Sequence, residues 1–195
     1  SVGDGRIVGV CKGAGMIEPN MATMLAFILT DLDISREDLD RALKDVAGRT
    51  FNMVSVDGDQ STSDMMIALS SGRKKGVGYE EFRSALYRVC RSLAEDVVRN
   101  GEGTRHVIRV TVTGAPDEGI AEGVARSVVN SPLVKTAVFG NDPNLGRIVM
   151  AIGKYTGNRG IPLDTDSLHI YLGGEHVFYD GCFHLDRDLE KKLSG

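Results

Sequence analysis

Apolar residues recur along this chain with spacings of two, of three to four, and in unbroken runs, and each spacing predicts an element. Arg6 to Cys11 alternates enough for a strand that leads into a glycine-rich elbow. Met24 to Leu29 is uninterrupted apolar sequence, as in a buried strand carrying Thr23 at its start. Ser35 then caps a helix, with Asp38 three residues on in the manner of a shortened capping box. Leu39, Ala42, Leu43, Val46 and Ala47 form its apolar stripe, and Gly48 ends it. Phe51 to Val56 reads as a strand, followed by a polar turn and a helix over Ser61 to Ser70. Gly78 to Asn100 is a long amphipathic helix with Phe82, Leu86, Val89, Leu93 and Val97 on one face, terminated at Gly101.

The second half has a different rhythm. His106 to Thr113 alternates, with Ile108, Val110 and Val112 pointing one way, and predicts a strand. Asp117 to Asn130 predicts a helix, Val134 to Phe139 a strand, and Leu145 to about Lys154 another helix. A hairpin comes next, Leu168 to Leu172 and His176 to Tyr179, turned at Gly173-Gly174. The sum is a βαβαββ unit over 104–195, divided near Gly103 from a first domain over 1–103. The expected class is α/β in the broad sense, with layered sheet and helix.

Composition narrows the setting. The 195 residues carry a net charge of −4, which argues against a nucleic-acid partner, since those need a basic face. No apolar run reaches the roughly 18 residues of a membrane span, and no signal-peptide pattern opens the chain. Cys11, Cys90 and Cys182 are widely spaced and odd in number, which favours neither a zinc site nor a disulfide framework. A reducing cytoplasm is the expected location. Both ends read as cut: Ser1 to Arg6 runs straight into an apolar stretch, and Ser194-Gly195 comes soon after a helical start at Asp186 to Glu190. A fragment, or one piece of a processed protein, is expected.

The chemistry concentrates in Lys12 to Leu25, where Ala22-Thr23 lies beyond a Pro19-Asn20 elbow. A threonine hydroxyl holds its proton too tightly to attack at neutral pH unless a base lies beside it. The nearest base is its own α-amine, with an ordinary pKa of about 7.7–8.0, and that amine exists only if the Ala22-Thr23 bond is cut. A threonine after alanine is ordinarily a packing residue. Here Pro19 fixes the approach, and Met24 to Phe27 buries the strand on the far side. Such an arrangement suits a strained, self-cleaving peptide.

These residues carry a resemblance. Ala22-Thr23-Met24-Leu25 resembles the processing site of the ornithine acetyltransferase family, the bifunctional glutamate N-acetyltransferases of arginine biosynthesis. Val56-Asp57-Gly58-Asp59-Gln60-Ser61-Thr62-Ser63-Asp64, Gly101-Glu102-Gly103-Thr104, Ser131 to Ala137 and Asp142 to Arg147 resemble further blocks of that family, in the same order, over about Gly5 to Gly153. The resemblance implies part of an N-terminal-nucleophile-type domain, then the smaller domain of the nucleophile-bearing β chain. It implies self-cleavage at Ala22-Thr23, with Thr23 as nucleophile and its α-amine as base. Lys12, Thr23 and Glu102 would bind substrate, a lysine and a carboxylate suiting the carboxylate and ammonium of an amino acid. Acetyl would pass from N2-acetyl-L-ornithine to L-glutamate through an acetyl-threonine ester, with acetyl-CoA a donor in some members and no cofactor. The oxyanion-stabilising threonine and glycine of the family belong to its amino-terminal half, and further substrate groups to its extreme carboxyl terminus. An α chain from the same precursor is therefore the expected partner, in a heterotetramer of two α and two β chains.

Blander readings stand beside these. Lys12 alone would be a solvated lysine, and Glu102 between two glycines an exposed side chain on a joint. A dinucleotide loop is excluded because Glu18 occupies the last glycine position. An EF-hand at Asp57 is excluded because Thr62 and Ala68 stand where Gly and Glu are needed; a polar turn close to the active site fits better. His106, His169, His176 and His184 lack ligand spacing, two of them at best facing across the hairpin, so no metal is expected. Asn141 to Asn144 caps the following helix, and Arg147 defaults to a surface salt bridge. Two alternatives remain to acetyl transfer: hydrolysis by an N-terminal-threonine aminopeptidase or amidohydrolase of the same fold, and a non-catalytic binding module in which Thr23 is core.

Overall fold

The computed structural model describes residues 1–15, 17, 24–59 and 65–194. The chain divides into two compact units, Ser1–Val107 and Ile108–Gly195.

The first unit is built on a three-stranded sheet. β1 (Ile7–Lys12) pairs antiparallel with β2 (Leu25–Leu32), and β2 pairs in parallel with β3 (Met65–Lys74), giving the order β1-β2-β3. A parallel neighbour requires a long connection, and α1 (Arg36–Arg49) lies within it. Ser35 is its N-cap as expected, the hydroxyl accepting from the Asp38 amide at 3.1 Å. α2 (Tyr79–Arg99) comes after β3. Ala26, Ile28 and Leu32 of the sheet share one core with Ala42 and Val46 of α1 and Phe82, Leu86 and Cys90 of α2, all of them buried. Gly9 lets α2 approach β1, because a β-carbon there would lie 2.5 Å from Leu93 Cδ1. Arg83 ties the helices together, reaching Asp45 at 2.8 Å.

Two expectations fail in this unit. Phe51–Met53 is a single 3₁₀ turn rather than part of a strand. The Thr50 hydroxyl donates back to the Val46 carbonyl at 2.7 Å and Phe51 drops into the core, so the run stays tied to the end of α1. The helix expected over Ser61 to Ser70 is instead strand β3 from Met65 onward, while 61–64 lie outside the described residues. A short apolar run fits either element, and here the β2 edge decides it.

The second unit holds three helices, then a small meander and a last short helix. These are α3 (Glu118–Val129), α4 (Pro132–Phe139), α5 (Leu145–Gly157), then β4 (Ile170–Leu172), β5 (Glu175–Tyr179), β6 (Cys182–Phe183) and α6 (Arg187–Leu193). Asp117 and Asn144 cap α3 and α5 through their side chains. The hairpin turns at Gly173-Gly174, both with positive φ (60° and 90°). The expected βαβαββ topology does not form. Val134 to Phe139 is helical because the Ser131 side chain caps the Val134 amide and Pro132 occupies the first turn, where its missing N–H costs nothing. Among the described residues 106–113 belong to no strand. Ile108, Val110 and Val112 still pack against the second core, so the alternation reported burial and not pairing.

Candidate functional site

β1 ends at Lys12 and β2 begins at Leu25, and these two residues are register partners. The elbow of 13–24 therefore joins two adjacent strand ends. Ala22 and Thr23 lie outside the described residues, and the described parts of the elbow are held from three directions. The Glu102 amide donates to the Ala14 carbonyl at 2.6 Å. The Val56 amide donates to the Ile17 carbonyl at 2.8 Å, and the Ile17 amide donates to Asp57 Oδ1 at 3.1 Å. The Met65 amide donates to the Met24 carbonyl at 3.1 Å. Ile17 and Met24 are both buried, so the elbow is anchored on each side of the Ala22-Thr23 bond by apolar side chains as well.

Lys12 is exposed at the end of β1. Glu102 is exposed on the turn after α2, between Gly101 and Gly103. A β-carbon at Gly101 would lie 2.8 Å from Thr104 Oγ1 and 3.0 Å from Val56 Cγ1, and Gly103 has φ +71°. Both positions thus demand glycine for a packing or conformational reason. The backbone bond from Glu102 to Ala14, two residues past Lys12, brings the lysine's strand end and the glutamate's turn to one rim. Asp57 joins them: a point one β-carbon away from Gly15 is 3.3 Å from Glu102 Oε2 and 3.7 Å from Asp57 Oδ2, so two carboxylates face the same spot. Residue type and spacing do not single out Asp57 as a site residue; the one hint is a polar turn expected close to the active site. The rim thus brings together two carboxylates and the strand end that carries Lys12.

Other candidates resolve differently. In place of the expected surface salt bridge, Arg147 donates to the Leu133 carbonyl at 2.8 Å and to Thr136 Oγ1 at 2.9 Å, tying α5 to α4. His169 and His176 do face each other, Nδ1 to Nε2 at 3.1 Å. No group of three or more His, Cys, Asp or Glu among the described residues could hold a metal ion. All three cysteines are free thiols. Burial, reinforced by the neighbouring Cys11, pushes the Cys90 thiol up to about 12; burial and then Asp96 push Cys11 up as well.

A family model described as the ArgJ family matches residues 2–194. The chain belongs to the ArgJ family. It is 47% identical over 178 residues to the arginine biosynthesis bifunctional protein ArgJ of Rhodococcoides fascians, covering 91% of this chain and 44% of that protein. It is 45% identical over 178 residues to the glutamate N-acetyltransferase Oat2 of Streptomyces clavuligerus, covering 91% of this chain and 45% of the relative. Its fold superposes on the crystal structure of the arginine biosynthesis bifunctional protein argJ from Bacillus halodurans with a TM-score of 0.77 at 34% identity, covering 86% of this chain and 79% of that one. Family and mixed α/β class therefore stand as the sequence indicated. The chain spans less than half the length of the curated ArgJ relatives it matches. No helix among the described residues is long and apolar enough to cross a membrane.

Proposed function

We propose that the chain carries the nucleophile of an acetyltransferase of arginine biosynthesis that moves acetyl from N2-acetyl-L-ornithine to L-glutamate. The Thr23 hydroxyl attacks the Ala22 carbonyl, the peptide nitrogen leaves as the Thr23 α-amine, and water opens the resulting ester to free the Ala22 carboxylate. The new amine then serves as base for the same hydroxyl. In the first half-reaction Thr23 Oγ attacks the acetyl carbonyl, and ornithine leaves with a proton on its amine. In the second, the glutamate amine attacks the acetyl-threonine ester and restores the hydroxyl. Acetyl-CoA serves as an alternative donor for making N-acetylglutamate.

The observation that carries this reading is the shared rim. Lys12, Glu102 and the strand that begins two residues after Thr23 are joined by the Glu102–Ala14 bond and the Lys12–Leu25 register. The Glu102 carboxylate suits an ammonium, and Lys12 a carboxylate. The names of the relatives support the reaction class.

A partner is part of the proposal. Val8, Val10, Phe27, Leu29 and Leu69 stand between 40% and 62% exposed on the sheet face turned away from α2, and the register sets Val8 against Leu29, Val10 against Phe27 and Leu29 against Leu69. Apolar side chains adjoining in this way suit a buried interface. The α chain from the same precursor is the occupant proposed, in a heterotetramer with two copies of each chain. It would also supply the oxyanion donors, whose loss commonly costs about 10²–10³ in rate.

The deciding experiment is the intact mass of the protein expressed from its complete reading frame, with amino-terminal sequencing of each piece. A piece beginning Thr23-Met24-Leu25 that disappears in Thr23→Ala, together with ping-pong kinetics for N-acetylornithine and glutamate, supports the proposal. A wild-type chain that stays whole overturns it. Release of free acetate with no transfer to glutamate would make the enzyme a hydrolase.

A further inference from the structure

We propose that the cleft between α3 and the far end of α5 binds a small oxyanion, gripped by the Arg159 guanidinium. The cleft measures about 390 Å³, and its lining includes Gly119, Glu122, Gly123 and Arg126 on α3 together with Tyr155 and Arg159. All of them belong to the second unit, and none takes part in the chemistry proposed for the elbow.

The floor of the cleft depends on a glycine in α3. A β-carbon at Gly123 would lie 1.9 Å from the Tyr155 hydroxyl and 2.0 Å from its Cζ, so only glycine leaves room for the ring to lie against the helix. The Tyr155 hydroxyl reaches the Gly119 carbonyl at 3.5 Å, one turn earlier. One turn later, Ser127 Oγ donates to the Ala151 carbonyl at 2.7 Å and ties the two helices together. Over this fixed ring lies the Arg159 guanidinium, 4.1 Å from the centroid. The main chain that carries Arg159 is fixed as well. Gly160, with φ +63°, closes the end of α5: the Ile161 amide donates to the Thr156 carbonyl at 2.9 Å and the Gly160 amide to the Gly157 carbonyl at 3.2 Å, the pattern of a Schellman closure. A long side chain ordinarily gives up rotamer freedom when it grips a ligand. Here much of that ordering is already built into the fold.

Charge decides what the cleft accepts. Arg126 Nε and Nη2 both donate to Glu122 Oε1, at 2.8 and 2.6 Å, so that pair offsets itself. Arg159 has no carboxylate partner among the described residues; its contact is the ring face. The lining thus sets two guanidiniums against one carboxylate, a local surplus of positive charge in a chain whose net charge is −4. A ring stacked on the guanidinium face makes no claim on the N–H groups at its edge. Those donors form a planar fork that matches a pair of carboxylate or phosphate oxygens.

The test is isothermal titration calorimetry on the protein expressed from its complete reading frame, at low ionic strength, where exposed charges are least screened. Inorganic phosphate is the probe in one arm and succinate in the other. Wild type should bind at least one of them saturably, at one site per chain. Arg159→Gln should weaken that binding about 10- to 100-fold, the range expected when hydrogen bonds to a charged group are lost. Arg159 is exposed, so thermal unfolding of this variant should match wild type. Arg159→Lys keeps the charge without the planar fork and should fall between the two. Lys154→Gln removes an exposed cation of α5 outside the lining and should bind as wild type does. Tighter phosphate binding would make the ligand a phosphorylated compound and tighter succinate binding a carboxylic acid, and either result supports the site. No saturable binding of either anion overturns it. So does unchanged affinity in Arg159→Gln, or an equal loss in Lys154→Gln, which would reduce the effect to general attraction of anions to surface charge.

Discussion

The two faces of the β1-β2-β3 sheet are both apolar, yet only one is covered within the described residues. On one side Ala26, Ile28 and Leu32 sit in the core beneath α2, with exposures of 0–1%. On the other, Val10 and Leu69 are 62% and 57% exposed although their own neighbours are apolar. A sheet with one face in water normally alternates polar and apolar residues. β2 does not alternate over Leu25 to Leu29, and that is why it reads as a buried strand in the sequence. Its composition is that of a sheet with cover on both sides.

Substitutions on the two faces should separate them cleanly. On the covered face, Phe82→Ala should cost about 3–5 kcal/mol of stability, because it empties a fully buried site. A urea unfolding curve reads it, and a loss below about 1 kcal/mol would deny that this face is the core. On the open face, Phe27→Ser combined with Leu29→Ser should change the unfolding free energy of the chain alone by no more than about 1 kcal/mol. The same pair should abolish co-purification with the proposed α chain when the two are expressed together. Equal destabilisation by both sets would erase the distinction between the faces.

Thiol reactivity probes the same difference between cover and exposure. Cys182 is exposed and should react with a thiol reagent first, whereas Cys90 should stay protected until the chain unfolds. The Cys90 thiol is raised from 9.0 to about 12 by burial, so the native state favours its neutral form. The stability it contributes is complete below pH 9 and is lost as pH rises toward 12. The urea midpoint of the wild type should therefore fall more steeply with rising alkaline pH than that of Cys90→Ala. The smallest effect expected is at the Ser35 cap, where Ser35→Ala should cost about 1 kcal/mol, readable as a small drop in Tm.

The range of each interaction explains which elements can be read from the chain alone. Ser35, Asp117 and Asn144 announce their helices because a cap is settled within three residues. The Gly173-Gly174 turn is local in the same way. α4 departs from the strand expected there although its signal is just as local. β-branched Val134 and Val138 favour a strand weakly, and the Ser131 cap with proline in the first turn outweighs them. β3 departs from the expected helix for a different reason. Its identity depends on the edge of β2, far upstream in sequence, and no window around Met65 contains that edge.

The same division runs through the site. The family-like blocks and the Ala22-Thr23 dipeptide in its elbow are present in the bare sequence as residue type and short spacing, and Lys12 and Glu102 are candidates through the resemblance that those blocks carry. That Glu102 holds Ala14, that Asp57 takes the Ile17 amide, and that both carboxylates face Gly15 are products of folding. Those contacts join segments separated by forty residues or more. Hydrogen bonds act over about 3 Å, and only a folded core brings segments so distant in sequence within that reach.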